Sequence, residues 1–314
     1  MKILLTGASS FTGFWFARAL AEHGHTVYAT FQGSRESYDA ARKRRIDALP
    51  KNVQCLWETS LGSERLLGTV ASEDGWDLFC LHGAYVTGYR NPDFDPVGAL
   101  RNNTAGLQVV LEKLAAKGLR NVLATGSVFE ADEGAGEEPL RAFSPYGLSK
   151  TLTWKAQQYL AQILNLRLGK FLIPNPFGPY EEPRFTAYLI KTWYAGKTAE
   201  VRTPSYVRDN IHITSLAAHY ARYAERLVAG EAAPKCGPMG YVESQGSFTL
   251  RFAAEMTKRL RIPCEVILGQ QTDFSEPLIR VNTQTEKLPE SEWNETAAWD
   301  ELAAYYKTEF APLS

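Results

Sequence analysis

Only four of the 314 residues are cysteine. Cys55, Cys80, Cys236 and Cys264 are scattered, and no two form a CxxC pair. That scarcity excludes a disulfide-framed domain and a cysteine-built metal site; free thiols in a cytoplasmic protein and no metal are expected. Long apolar runs are also missing, since none reaches the ~18 residues a membrane-spanning helix needs. Neither sign of charge dominates: 34 Lys and Arg stand against 35 Asp and Glu. The densest basic cluster, Arg42-Lys43-Arg44-Arg45, reads as a solvated helix face. Nucleic acid and membrane are therefore excluded as main partners. Met1–Leu5 runs straight into a glycine-rich turn, without the pattern of a cleavable signal. No repeat or low-complexity tract occurs.

What is present is 45% apolar residues, enough for a full core in about two domains or one extended α/β domain. Lys2–Thr6 fits a buried parallel strand,. Gly7-Ala-Ser-Ser-Phe-Thr-Gly13 follows it, and a helical pattern runs from Phe14 to His23. Strand, glycine turn and helix in that order suit a dinucleotide pyrophosphate. Gly7 permits the turn, Gly13 lets the helix approach the strand, and the helix N-terminus offers amides. Ser10 stands where a middle glycine is usual. Further strands are expected at Thr26–Phe31, Val53–Trp57, Asp77–His82 and Arg120–Thr125, with a helix over Asn102–Ala116. The alternation predicts an α/β fold, a doubly wound parallel (Rossmann) sheet with ligands beyond the carboxyl ends of its strands. Gly7, Gly83 and Thr125 then line one crevice. No carboxylate ends the second strand; Phe31 is followed by Ser34 and Arg35, which could hold a 2′-phosphate,. NADP is therefore expected, with NAD possible.

Tyr146 and Lys150 lie four apart after Ser144-Pro145, where a helix should begin,. On a helix the two side chains share a face. An ammonium beside a phenol lowers its pKa from ~10, which suits proton exchange with an alcohol. Beyond Leu168–Ile173 come Pro174-Asn-Pro-Phe-Gly-Pro179, helical patterns at Phe185–Ala195 and Ser215–Val228, and a strand at Val201–Arg208. Residues 1–173, with about 205–230, are expected to form the nucleotide-binding part, and 174–314 mainly a substrate-binding part.

Six motifs in order carry a resemblance: Thr6-Gly7 with Gly13, Asn103-x-x-Gly106, Thr125 with Val128-Phe129, Tyr146-x-x-x-Lys150, Asn175-x-Phe177-Gly178-Pro179, and Arg208-Asp209-x-x-His212. To about residue 220 the chain resembles the extended short-chain dehydrogenase/reductases, the nucleotide-sugar epimerase/dehydratase/reductase group. The resemblance implies that Tyr146 exchanges the proton, that Lys150 holds the nicotinamide ribose and depresses the phenol, and that Thr125 bonds the reacting oxygen. It implies cofactor contacts from Gly7, Ser10, Phe11, Thr12, Gly13, His82 and Gly83. It implies substrate contacts from Ser127, Asn175 and Arg208, the last at a diphosphate, and a homodimer. Asn103, Asp209 and His212 are expected to be structural. Departures are Ser10, Phe31, Ser60 where an Asp often meets adenine, and Cys80-Leu-His-Gly83 near the nicotinamide. Gly126 and Ser127 replace the acid that follows the threonine in 4,6-dehydratases. An NADP-dependent 4-ketoreductase on a nucleoside diphosphate sugar is the leading expectation, ahead of a 4-epimerase with retained cofactor and, below both, a 4,6-dehydratase or a nucleotide-sensing protein without turnover.

Overall fold

The short apolar runs become strands because turn residues bound each one and helices return the chain across the sheet. The computed structural model describes residues 1–310. Its first half runs β1 (Lys2–Leu5), α1 (Phe11–Glu22), β2 (Thr26–Thr30), α2 (Ala40–Asp47), β3 (Val53–Leu56), α3 (Glu64–Ser72), β4 (Leu78–Leu81), α4 (Pro96–Thr104), α5 (Leu107–Ala116), β5 (Asn121–Ser127), β6 (Ala135–Gly136) and α6 (Pro145–Ile163). The second half runs β7 (Arg167–Ile173), β8 (Asn175–Phe177), α7 (Phe185–Tyr194), β9 (Ala199–Val201), β10 (Val207–His212), α8 (Ile213–Ala229), β11 (Lys235–Cys236), β12 (Tyr241–Ser244), α9 (Gln245–Leu260), β13 (Val266–Leu268), β14 (Ile279–Val281) and α10 (Glu295–Glu309).

Seven parallel strands form the main sheet in the order β11-β7-β5-β4-β1-β2-β3. This is the doubly wound sheet expected from the alternation. One core joins α1 and α8 to the sheet through Phe14, Phe16, Leu216 and Tyr220; another joins α3 and α5 through Leu66, Val70, Val110 and Leu114. Phe16 stacks on Tyr220 with centroids 3.8 Å apart. Each such ring contributes roughly 1.5–3 kcal/mol by burial.

A second sheet runs β12-β10-β14-β6, with β8 beside β10. The helices α7, α9 and α10 enclose a third core around Trp193, Phe252 and Trp299. The chain passes between the two sheets repeatedly: α8 and β11 belong to the main sheet although β10 and β12 flank them.

Two local expectations fail for tertiary reasons. Val201–Arg208 is not one strand: Pro204, which lacks an amide donor, separates β9, paired with β13, from β10. The 102–116 helix is broken between α4 and α5 at Gly106, which has φ +69°. There the backbone of Gly106 lies so close to Gly62 that a Cβ on Gly62 would sit 2.7 Å from the Gly106 Cα.

Candidate functional site

The turn after β1 is built by its glycines and one serine. Gly7 has φ +79°, and a Cβ on it would lie 2.7 Å from the Gly83 Cα. A Cβ on Gly13 would run into the Gly7 carbonyl, so α1 and the turn approach as closely as backbone allows. Ser10 is the N-cap of α1: its hydroxyl accepts from the Gly13 amide at 3.1 Å and donates to the Gly7 carbonyl at 2.9 Å. A serine thus replaces the middle glycine with a capping residue. The amides of Phe11 and Thr12 precede the first intrahelical bonds, and no acidic side chain occupies the first turn. That positive end fits a pyrophosphate. The Phe11 side chain is in the core, so its backbone alone faces this role.

At the carboxyl end of β5, Thr125 is buried. Its hydroxyl lies 3.1 Å from His82 Nδ1, and His82 Nε2 lies 3.1 Å from both Ser10 Oγ and Thr12 Oγ1. The fold therefore gathers Gly7, Ser10, Thr12, Gly13, His82, Gly83 and Thr125 at one crevice. Pro145 starts α6, and Ser144 caps it by accepting from the Gly147 amide at 3.0 Å, as the sequence predicts. Lys150, one turn into α6, is buried and donates to the Thr125 carbonyl at 2.6 Å. Asn103 supports the same corner, accepting from the Tyr85 amide at 2.7 Å and donating to Thr153 Oγ1 at 3.2 Å.

One electrostatic expectation is corrected. Tyr146 is not depressed by Lys150. Burial pushes its phenol well above the ordinary range, and Glu130 and Tyr89 add to the rise while Arg184 opposes it. The Lys150 ammonium is turned to the Thr125 carbonyl, and burial lowers its own pKa. The Tyr146 ring sits instead beside Tyr89 and Phe94, with centroids 5.2 and 6.4 Å away.

The remaining candidates are dispersed. Ser127 is buried, with its amide bonded to Glu130 and its hydroxyl accepting from the Phe129 amide at 3.2 Å. Asn175 opens β8, half-buried, beside Asn210 of β10. Arg208, on β10, donates to the Val207 and Leu278 carbonyls and to Glu276 at 2.8 Å, over the Tyr206 ring. Ser34 precedes a short 3-10 turn without capping it by its side chain. Arg35 is exposed and paired with Asp47 at 2.6 Å, while Phe31 is buried and stacked on Trp57. Asp209 accepts from the Gly240 and Asn282 amides, and His212 caps α8 edge-on to Phe177.

Three features were missed by sequence reasoning. Glu130 and Glu133 are buried with Lys170, which pairs with both at 2.5 and 2.8 Å; Lys235 also reaches Glu133. Alternation along β7 hides Lys170 among apolar neighbours, so no pattern announces it. Arg280, from β14, donates to the carbonyls of Val128, Glu130 and Arg141 and so fastens the loop between β5 and α6. Arg184 stands just before the first turn of α7 without capping it by its side chain, and donates to Glu182 at 3.0 Å; its Nε is buried without a hydrogen-bond partner among the described residues.

The model of the NAD dependent epimerase/dehydratase family matches residues 3–235. A probable UDP-glucuronate 4-epimerase from Rhizobium meliloti (strain 1021) is 23% identical over 251 residues, covering 74% of this chain and 72% of that protein. The crystal structure of UDP-glucuronic acid 4-epimerase from Bacillus cereus, in complex with UDP-glucuronic acid and NAD, superposes with TM-score 0.74 at 18% identity, covering 98% of this chain and 100% of that one. A dTDP-glucose 4,6-dehydratase from Streptomyces venezuelae, with NAD and TYD bound, gives TM-score 0.69 at 16% identity over 98% of this chain and 97% of that chain. Glycine turn, Tyr146 and Lys150, parallel sheet and family match agree, and the chain belongs to the NAD dependent epimerase/dehydratase family.

Proposed function

We propose that the protein is a 4-epimerase of a nucleoside diphosphate sugar that keeps NAD bound through its cycle. The observation that carries this reading is the junction of the glycine turn, His82, Thr125 and Lys150 at the carboxyl ends of β1, β4 and β5. The turn's amides and the helix dipole suit the pyrophosphate; bound NAD supplies a hydride acceptor and donor at the sugar carbon. Tyr146 takes the proton from the sugar hydroxyl and returns it after the ring has turned. Thr125 contacts the same oxygen, and Lys150 holds the cofactor ribose. Asn175 and Arg208, with Ser127, face the substrate from β8, β10 and the end of β5, Arg208 releasing Glu276 for the diphosphate. The second sheet with α7, α9 and α10 forms the substrate part, and the similar Bacillus cereus epimerase binds UDP-glucuronic acid beside NAD.

Elimination at C6 is disfavoured, because no free acid follows Thr125. Glu130 is buried against Lys170, and Asp132 is exposed on a turn. A second reading, an NADPH-dependent 4-ketoreductase, is favoured by the missing carboxylate at Phe31. Arg35, its intended 2′-phosphate partner, is engaged by Asp47, which weakens it. Mass spectrometry of cofactor carried through purification separates the two: retained NAD supports the epimerase, whereas empty protein that binds NADPH and reduces a 4-keto sugar supports the reductase. Interconversion in a panel of UDP-glucose, UDP-glucuronate, UDP-N-acetylglucosamine and their C4 epimers tests turnover. A homodimer in the cytoplasm fits this reading; α4 and α6 leave Val97, Leu148, Tyr159 and Ile163 exposed on neighbouring helices.

A further inference from the structure

The glycine turn, β4 and β5 meet around one imidazole. His82 Nδ1 faces Thr125 Oγ1, and Nε2 faces Ser10 Oγ and Thr12 Oγ1, all at 3.1 Å. Phe16 closes the ring from the core side, with centroids 5.2 Å apart. Which nitrogen carries the proton follows from Ser10. A serine hydroxyl has one proton to give. Ser10 Oγ touches the Gly7 carbonyl at 2.9 Å as well as His82 Nε2, and it already accepts from the Gly13 amide. Were Nε2 bare, Ser10 could satisfy only one of the two. Lone pairs would then confront each other at hydrogen-bond distance, either at Gly7 or at His82. With a proton on Nε2, the serine proton goes to Gly7 and both contacts become hydrogen bonds.

A neutral ring protonated at Nε2 has a bare Nδ1, and Thr125 must give it the threonine's only proton. A second ring proton is opposed by burial and by the nearby Lys150 ammonium, which hold His82 at about 3. It is therefore a fixed acceptor and not a store of protons. The Tyr220 hydroxyl lies beside Cys80 and Thr125 without reaching hydrogen-bond geometry to either.

We propose that His82 is a positioning residue that fixes Thr125 as a pure hydrogen-bond acceptor toward the substrate. This rests on the reading of Thr125 and Tyr146 as the reacting pair. Thr125 then recognises a sugar hydroxyl, which has a proton to give, and offers nothing to a ketone. Tyr146 alone serves the carbonyl oxygen of the oxidised sugar, whereas the one proton of the alcohol rests on Thr125 in the bound complex and turns to Tyr146 when it is transferred.

The test is nitrogen NMR of the full chain carrying ring-labelled histidine, with the His82 signals assigned by their loss in His82→Gln. A pyrrole-type Nε2 and a pyridine-type Nδ1 are expected, and Thr125→Val should shift Nδ1 while leaving the tautomer unchanged. The opposite tautomer, or an Nδ1 signal indifferent to Thr125→Val, overturns the proposal. On whichever UDP-sugar of the panel the wild type turns over, His82→Ala and Thr125→Val should each raise KM about tenfold, the worth of one hydrogen bond to the bound alcohol, and leave kcat undiminished. The double variant should lose little more; additive losses also overturn it. Silence of the wild type on the panel counts against the proposed function, whereas the ring tautomer is read without turnover.

Discussion

At the scale of single residues, Tyr146 is the decisive position. Removing one oxygen in Tyr146→Phe should leave folding and NAD binding intact and lower turnover by about 10²–10⁴. Steady-state kinetics and cofactor titration on both proteins check this, and an equally active variant would refute the proton role. Arg208→Ala should weaken UDP-sugar binding by ~1.5–3 kcal/mol while sparing NAD, measured by calorimetry. Glu181 gives a pH signature. Burial pushes its carboxyl up to about 7, although Thr186 and Tyr306 donate to it. Between its ordinary 4.5 and that value, the folded state keeps a proton that the unfolded chain has released. Stability is therefore lost as pH rises through this window, by at most about 3 kcal/mol. His82 and His212, both held at about 3 by burial, act oppositely, adding stability as pH rises toward their ordinary 6.5. Glu181→Gln isolates the first effect: the variant should gain on the wild type between about pH 5 and about pH 8 in denaturant titrations. The placing of Tyr146 and Lys150 on one helix was legible because the four-residue spacing and the Ser144-Pro145 start are local, whereas Thr125 was singled out by its strand end and the family resemblance. The turn of Lys150 to the Thr125 carbonyl was not legible, because it depends on how β5 meets α6.

At the scale of elements, strands announce themselves as apolar runs, and every strand of the main sheet except the two-residue β11 was legible in that way. What the sequence does not display is where elements break under contact. Gly106 ends the 102–116 pattern because Gly62 lies against it, and Pro204 splits a strand that propensity alone would join. The β2–α2 connection shows the same limit for function. Arg35 invites a 2′-phosphate in sequence, yet Asp47, twelve residues on, holds its guanidinium. We accordingly expect NAD to bind at least as tightly as NADP. Arg35→Ala should leave the ratio of the two affinities within about twofold, since an exposed pair contributes only ~0–1 kcal/mol. A tenfold selective loss of NADP affinity in fluorescence titration would return the guanidinium to the phosphate.

For the molecule as a whole, the loop that leads from β5 to α6 is held from beneath by charge rather than by apolar packing. Lys170 neutralises Glu130 and Glu133 in the interior, and Lys235 completes the set. Removing one partner of a buried ion pair leaves the other uncompensated, at ~3–5 kcal/mol. Lys170→Ala should cost that much in chemical denaturation; a change under about 1 kcal/mol would mean that water reaches the carboxylates. Assembly belongs to this scale too. Light scattering should give twice the chain mass, and Tyr159→Glu with Ile163→Glu should halve it while sparing the fold.

Gly62 and Gly106, whose backbones lie against each other, carry a consequence for how the chain tolerates change. Neither partner can yield room to the other, because neither has a side chain to shorten. The pair therefore behaves as one locus: a substitution at either member has no available suppressor at its mate. In a saturation library scored for folded protein, these two positions should be among the least forgiving, and second-site revertants should arise only from shifts of the surrounding backbone.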